Sequence, residues 1–314
     1  MSTSAVGTPP SLWVDLAGPT HYVDFGGPAD GPLVVCVHGL GGSHVNWLAV
    51  GPMLAERCRV LALDLAGHGR TPVAGRRSDV RSNRLLLDHF LARVAAAPAV
   101  LVGNSMGGMI TMLQAAAARR SVAGMALVDP ALPPPRGTRP DPYVAMSFAA
   151  YAVPWLGERF LAGRRRRLTP EQLVRETLRL CCVDADRVPR HVVEASVRLV
   201  RERACQPDID KAFLGAARSL LAILARPRRY VDLMRTVPQP ALLLQGARDR
   251  LVPLAAAREA ALVRPDWRFE VREDVGHVPQ LEDPRWTAAT VLDWLDGEGR
   301  PAAEAARGPA IRVG

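Results

Sequence analysis

Apolar residues occur along this chain as short unbroken runs set between longer amphipathic stretches. Leu33, Val34, Val35, Cys36 and Val37 make one run, and residues 60–63, 100–102, 125–128 and 241–244 make others. A run that is apolar at every position suits a strand covered on both faces, as in a parallel sheet. Between the runs, residues 79–96 carry Leu85, Leu86, Phe90 and Val94 at helical spacing, and helices are also predicted near 47–57, 106–118, 254–263 and 284–295. A further strand is predicted at 267–271. At the start, residues 12–16 and 20–25 alternate weakly and predict a hairpin turning at Gly18 and Pro19. Strands that alternate with helices at short intervals imply an α/β fold with a mostly parallel central sheet flanked by helices.

The rhythm breaks after Asp129. Pro130, Pro133, Pro134, Pro135, Pro140 and Pro142 make a stiff exit, and the next hundred residues read as helices, among them 170–181, 189–204, 210–225 and 227–236. Strand signals return at Ala241. The expected organisation is a core of residues 1–130 and 237–296, a helical cap of residues 131–236 inserted after the sixth strand, and a disordered Gly/Ala/Pro/Arg tail over 297–314.

Charge sharpens this division. Residues 131–236 hold 20 basic and 11 acidic groups, so the whole net charge of +9 resides in the inserted segment. Composition adds less. The five cysteines have no metal-type spacing, and Cys36 inside a strand run reads as a small core residue. With no signal-like N-terminus and no apolar run of membrane-spanning length, a reducing, cytoplasmic setting is expected. The arginines are not interleaved with aromatics, which argues against nucleic acid as a partner.

The candidate chemistry lies where strands end. Residues 100–102 run into Gly103, Asn104, Ser105, Met106 and Gly107, a Gly-x-Ser-x-Gly frame between a strand and a helix. Glycines two residues either side let the strand and helix approach, and the turn pushes the Ser105 hydroxyl clear of the sheet. Such a serine is either a nucleophile or only a helix cap. As a nucleophile it needs a base, and the base needs an orienting acid. His277, in a loop between a strand and the last helix, is the candidate base. Asp249, directly after strand 241–245, is the candidate acid, and Asp129 after strand 125–128 competes with it. His38 and His68 read as loop residues and Asp64 as a loop brace. An oxyanion needs two aimed N–H donors. Met106 opens the helix after Ser105, and Leu40, with Gly41 next, lies in the glycine-rich loop after residues 33–37.

On these residues the chain resembles the α/β-hydrolase fold with a helical cap. The resemblance covers residues 12–296. It rests on His38-Gly39 with its following glycines, Asp64 with Gly67-His68-Gly69, the serine frame, Asp249-Arg250 with Val252-Pro253, and Gly276-His277. It implies Ser105 as nucleophile, His277 as base, Asp249 as its acid, and Leu40 and Met106 as oxyanion donors. Gly39, Gly41, Asn104, Val252 and Val278 would line the substrate site. No metal or organic cofactor is implied.

The wording Gly-Asn-Ser-Met-Gly-Gly is also similar to the elbow of hydrolases that cleave carbon–carbon bonds of ring-fission products. Those enzymes tend to carry a Ser-Gly-Pro-Gly type loop and a tryptophan after the histidine. Here Leu40-Gly41-Gly42-Ser43 and Val278 stand instead. The resemblance therefore points to a small, fairly apolar carboxylic ester as substrate, with a non-catalytic ligand-binding protein as the contrasting alternative. Residues 143–156 are strongly apolar and lead to four consecutive arginines at 164–167. They are either a core-facing helix pair followed by a solvated turn, or a lid that touches an anionic membrane. The oligomeric state is not legible.

Overall fold

The computed structural model describes residues 9–206 and 208–307. Eight strands form one sheet in the order β1-β2-β4-β3-β5-β6-β7-β8. They are β1 (Ser11–Asp15), β2 (Pro19–Gly26), β3 (Leu33–Val37), β4 (Arg59–Leu63), β5 (Ala99–Asn104), β6 (Val122–Val128), β7 (Ala241–Gly246) and β8 (Arg268–Arg272). β1 pairs antiparallel with β2, and β2 with β4; every other pairing is parallel. The expected hairpin and parallel sheet are both present, so this is the α/β-hydrolase fold.

The apolar runs are buried on both faces as their composition requires. Val35, Val37, Leu61, Leu63 and Leu101 join one apolar layer, while Val34, Cys36, Val60, Ala62 and Val100 join the layer on the opposite face. Successive side chains of a strand point to opposite faces, so an unbroken run feeds both layers.

The helices are α1 (Gly51–Leu54), α2 (Val80–Phe90), α3 (Met106–Ala117), α4 (Pro142–Ala152), α5 (Pro154–Arg167), α6 (Pro170–Cys181), α7 (Arg190–Arg203), α8 (Ile209–Leu224), α9 (Pro227–Thr236), α10 (Leu254–Val263), α11 (Pro279–Glu282), α12 (Pro284–Asp296) and α13 (Arg300–Ala305). Helices α4 to α9 all lie between β6 and β7, the position expected for the insertion. Local chemistry starts them. Asp141 caps α4 by accepting from the Tyr143 and Val144 N–H groups, and Thr169 and Gln172 form a reciprocal box at α6 with Pro170 in its first turn.

Two expectations need correction. The single helix predicted over 47–57 is a tight turn at His44–Trp47 and then one turn of α1. Gly51 presses on Phe25 so closely that a Cβ there would lie 2.7 Å from the ring, and Pro52 begins a new helical turn. The tail predicted as disordered from 297 contains α13, whose Ala302, Ala303 and Ala306 are buried. Alanine is a strong helix former, and Gly124 leaves room on β6 where a Cβ would meet the Ala302 methyl at 2.5 Å. The Ala306 carbonyl then accepts from Leu33 N–H at 3.1 Å, tying this helix to the start of β3. Residues 308–314 of the predicted tail lie outside the described residues.

Candidate active site

The parallel strands β3, β5, β6 and β7 end along one edge of the sheet, and the candidate residues follow those ends. After β5 the backbone reverses within one residue. Ser105 has φ 55° and ψ −119°, a left-side conformation that a serine adopts only under constraint. The constraint is packing. A Cβ on Gly107 would lie 2.1 Å from the Val37 carbonyl oxygen, and one on Gly103 would lie 2.6 Å from Thr111 Oγ1 and 2.7 Å from the Gly107 carbonyl oxygen. Glycine at both positions lets β5, β3 and α3 meet at this point.

Met106 is the first residue of α3, so its N–H has no carbonyl within the helix to bond. Gly39, from the loop after β3, lies against the serine: a Cβ there would be 2.9 Å from Ser105 Cβ. Gly41 has φ +72° and faces the ring of Phe213 from α8, with half-buried Leu40 beside it in an apolar cluster with Phe148, Tyr151, Phe160, Leu161 and Phe213. The insertion thus supplies an aromatic wall over the glycine loop.

His277 and Asp249 are brought together. His277 Nδ1 is 2.7 Å from Asp249 Oδ2, and both side chains are buried. Asp249 is fixed in turn: Oδ1 accepts from Leu251 N–H at 2.7 Å and Val252 N–H at 3.0 Å, and Oδ2 accepts from Gln245 Nε2 at 3.3 Å. Asn104, one residue before the serine, donates from Nδ2 to the His277 carbonyl at 3.1 Å and to the Val128 carbonyl at 3.0 Å. That link brings the histidine loop to the serine turn, and it occupies the Asn104 amide with protein partners. Val252 and Val278 are buried in two different apolar clusters, where they hold the loops of Asp249 and His277.

A family model described as "Alpha/beta hydrolase family" matches residues 34–290. The chain belongs to this family. Among its relatives, the dihydrolipoyllysine-residue acetyltransferase component of an acetoin cleaving system from Pseudomonas putida is 32% identical over 276 residues, 88% of this chain, which spans 66% of that protein's length. A pimeloyl-[acyl-carrier protein] methyl ester esterase from Aromatoleum aromaticum is 30% identical over 85% of this chain and 99% of its own. A thermophilic esterase from Thermogutta terrifontis superposes with a TM-score of 0.68 at 23% identity, covering 95% of this chain and all of that one, a likeness of fold.

In this α/β-hydrolase the remaining polar loop residues are bonded to one another and to the backbone. Asp64, fully buried, accepts from His21 Nδ1 at 2.7 Å, from His44 Nδ1 at 2.9 Å, from His44 N–H at 2.6 Å and from Arg70 N–H at 2.8 Å. These bonds tie the glycine loop to the 64–70 turn, as the loop-brace reading of Asp64 expected. Despite the opposing effect of its burial, His44 and His21 hold the Asp64 carboxyl well below the usual range. His38 bonds the Gly39 carbonyl through Nδ1 and accepts Leu65 N–H at Nε2, which fixes one tautomer. Burial pushes His38 down to about 4 and His68 down to about 3.

Both shifts predict acid sensitivity. In the unfolded chain these imidazoles bind protons as pH falls below about 6.5, whereas in the folded protein they stay neutral until about 4 and about 3. The unfolded state therefore binds more protons in that window, and stability falls as pH falls. The slope is about 1.4 kcal/mol per pH unit for each excess proton. Urea unfolding between pH 7 and pH 4.5 should show this loss, and His68→Asn should reduce the slope.

Sequence reasoning missed contacts that the insertion makes. The Cys181 carbonyl at the end of α6 accepts His277 N–H at 2.6 Å, and Gly276 has no Cβ to clash there, since one would lie 2.3 Å from that oxygen. Arg250 donates to Asp141 Oδ2 at 2.9 Å and to the Arg179 carbonyl at 3.4 Å. Glu282 accepts from Gly276 N–H and Asp184 N–H, both at 2.8 Å. A backbone carbonyl and a buried glutamate within a helix carry no sequence signal. Arg250, next to the Asp249 frame, offered one.

Proposed function

We propose that this protein is a serine hydrolase that cleaves carboxylic esters of fairly apolar substrates through an acyl-enzyme on Ser105. The observation that carries the reading is the buried His277–Asp249 pair, anchored by Asn104 to a serine held at φ 55°. His277 accepts the Ser105 proton as the hydroxyl attacks the carbonyl. Asp249 holds the imidazole in the tautomer with hydrogen on Nδ1, leaving Nε2 as the acceptor, and steadies the imidazolium that forms. The N–H groups of Leu40 and Met106 receive the oxyanion. His277 then protonates the departing alkoxide and activates the water that releases the acid. The aromatic wall of Phe148, Phe160 and Phe213 over Leu40 and Gly41 favours an apolar acyl or alkyl group. The esterase relative agrees with this chemistry. A panel of p-nitrophenyl esters of increasing chain length, with Ser105→Ala as blank, tests it. Turnover should rise from acetate to medium chains, and absence of turnover on every ester would overturn it.

The outer face of the insertion favours a second element, contact with an anionic lipid surface. Trp155 is 64% exposed and Met146 59%, beside exposed Tyr143, Val153 and Leu156. Positions 155, 159 and 166 fall on one side of α5, because separations of 4 and 11 residues are close to whole turns. Arg164 and Arg165 pair with Glu176 and Asp210, whereas Arg159, Arg166 and Arg167 make no ion pair among the described residues. An exposed tryptophan flanked by free arginines suits the boundary of a negatively charged bilayer, at roughly 1 kcal/mol for each basic residue near the surface. No helix among the described residues is long and apolar enough to cross a membrane. The protein should co-sediment with phosphatidylglycerol vesicles at low salt and not with phosphatidylcholine vesicles. Trp155→Ser with Arg166→Glu should weaken binding at least about tenfold. A wild type that ignores anionic vesicles at low salt would overturn this element alone.

A further inference from the structure

A third buried polar group meets His277 and Asp249 behind the serine turn. One oxygen of Asp129, one of Asp249 and a ring nitrogen of His277 all lie within 4.8 Å of one another. The partners of Asp249 are complete on the basic side: Leu251, Val252, Gln245 and His277 all donate to it. Those of Asp129 are not. It is fully buried, its Oδ1 accepts from Gly246 N–H at 2.9 Å, and its Oδ2 has no partner. Its backbone is strained as well, with φ 42°, and its N–H is spent on the Leu244 carbonyl at 2.8 Å. A strained residue with an orphaned buried oxygen persists only when its surroundings hold it there.

Two buried carboxylates this close repel one another, which favours one proton on the pair over two charges. Burial, first, and the charge of Asp249, second, raise Asp129 well above the ordinary carboxylate range. Apart from His277, the other titratable groups near it push the same way or are inert. Glu282 adds negative charge but is held by Gly276 and Asp184 N–H groups, and the Cys181 thiol near Asp249 is pushed up to about 12 by burial. No arginine or lysine among the described residues pairs with either acid. A proton on Asp129 would turn the orphaned oxygen into a donor, and Asp249 is the neighbouring carboxylate that could accept from it.

We propose that Asp129 is a positioning residue: it keeps its proton and donates from Oδ2 to Asp249, so that a second acid orients the acid that orients His277. The inference rests on the reading of Asp249 as the orienting acid. The donor fixes Asp249 with Oδ2 toward the imidazole. It also leaves a single negative charge behind His277, since a second one would over-stabilise the imidazolium and make the release of its proton harder.

Three measurements test this. In infrared spectra at pH 7, wild type minus Asp129→Asn should show the carbonyl stretch of a protonated carboxylic acid, and its absence would overturn the proposal without any substrate. Asp129→Asn keeps shape, neutrality and a donor. It should retain kcat/KM within about threefold, with the acid limb of its pH profile unmoved. A limb displaced downward by about a pH unit would mean that wild-type Asp129 carries charge, and would overturn it. Asp129→Leu removes the donor and should lose about 10- to 100-fold in kcat with little change in KM. A leucine variant as active as the asparagine variant would overturn the positioning role. If leucine prevents folding, Asp129→Ala serves as the donor-free comparison. A wild type that a fluorophosphonate fails to label at Ser105 overturns the proposed function instead, and the infrared band still decides the state of Asp129.

Discussion

Ser105→Ala is expected to lower ester hydrolysis by about 10⁵-fold or more, to the level set by binding and oxyanion contacts alone. The loss should fall on kcat, because the hydroxyl forms and breaks the covalent bond but contributes little to holding the ester. Labelling by a fluorophosphonate should vanish with it. Stability should stay within about 0.5 kcal/mol, since alanine at φ 55° is as strained as serine. Ser105→Gly separates the two roles of this position. It should be equally inactive but more stable by about 1 kcal/mol, because glycine adopts this backbone without strain. An alanine variant that keeps a tenth of wild-type turnover would place the nucleophile elsewhere. Denaturant midpoints for the three proteins, measured beside steady-state rates, give both readouts from the same samples.

The turn at Ser105 was legible because it is local. A strand run, a serine between two glycines and a helix follow one another in sequence, although the backbone that demands glycine at 107 is that of Val37 and His38 at the end of β3. The acid was harder. Asp129 and Asp249 each follow a strand, and the sequence alone leaves them as rivals. In the fold they are neighbours, since β6 and β7 pair side by side with Leu127 opposite Leu243. Strand order is a tertiary property, so nothing in the chain announces that the two acids share one buried site. The same holds for the bond between Cys181 and His277. It joins a backbone carbonyl to a backbone N–H across two segments, and main-chain partners leave no compositional trace. The C-terminal helix was misread for a different reason. Alanine-rich sequence looks featureless, yet here small size is the requirement, because Ala302 packs where Gly124 leaves no more room than a methyl needs.

Gly107→Ala is expected to cost more than about 4 kcal/mol, among the largest effects for a single added methyl. The new Cβ would lie 2.1 Å from the Val37 carbonyl oxygen and 2.6 Å from that of His38. Neither neighbour is a side chain that can rotate away. Val37 is registered against Gly103 of β5 and Leu63 of β4, so relieving the clash means opening the centre of the sheet or pushing α3 outward. Either movement separates the Met106 N–H from the glycine loop after β3, so any folded fraction should also lose turnover. Gly75→Ala is the control. It places alanine at φ +79° with nothing within 4 Å, and should cost only about 1–2 kcal/mol for the backbone conformation. Urea unfolding of the two variants compares crowding with strain. Equal losses would mean that the methyl at 107 is accommodated, and that the close approach of β3, β5 and α3 does not require glycine there. A loss at Gly107 several times larger ties the close approach of α3 to β3 to the turn that presents Ser105.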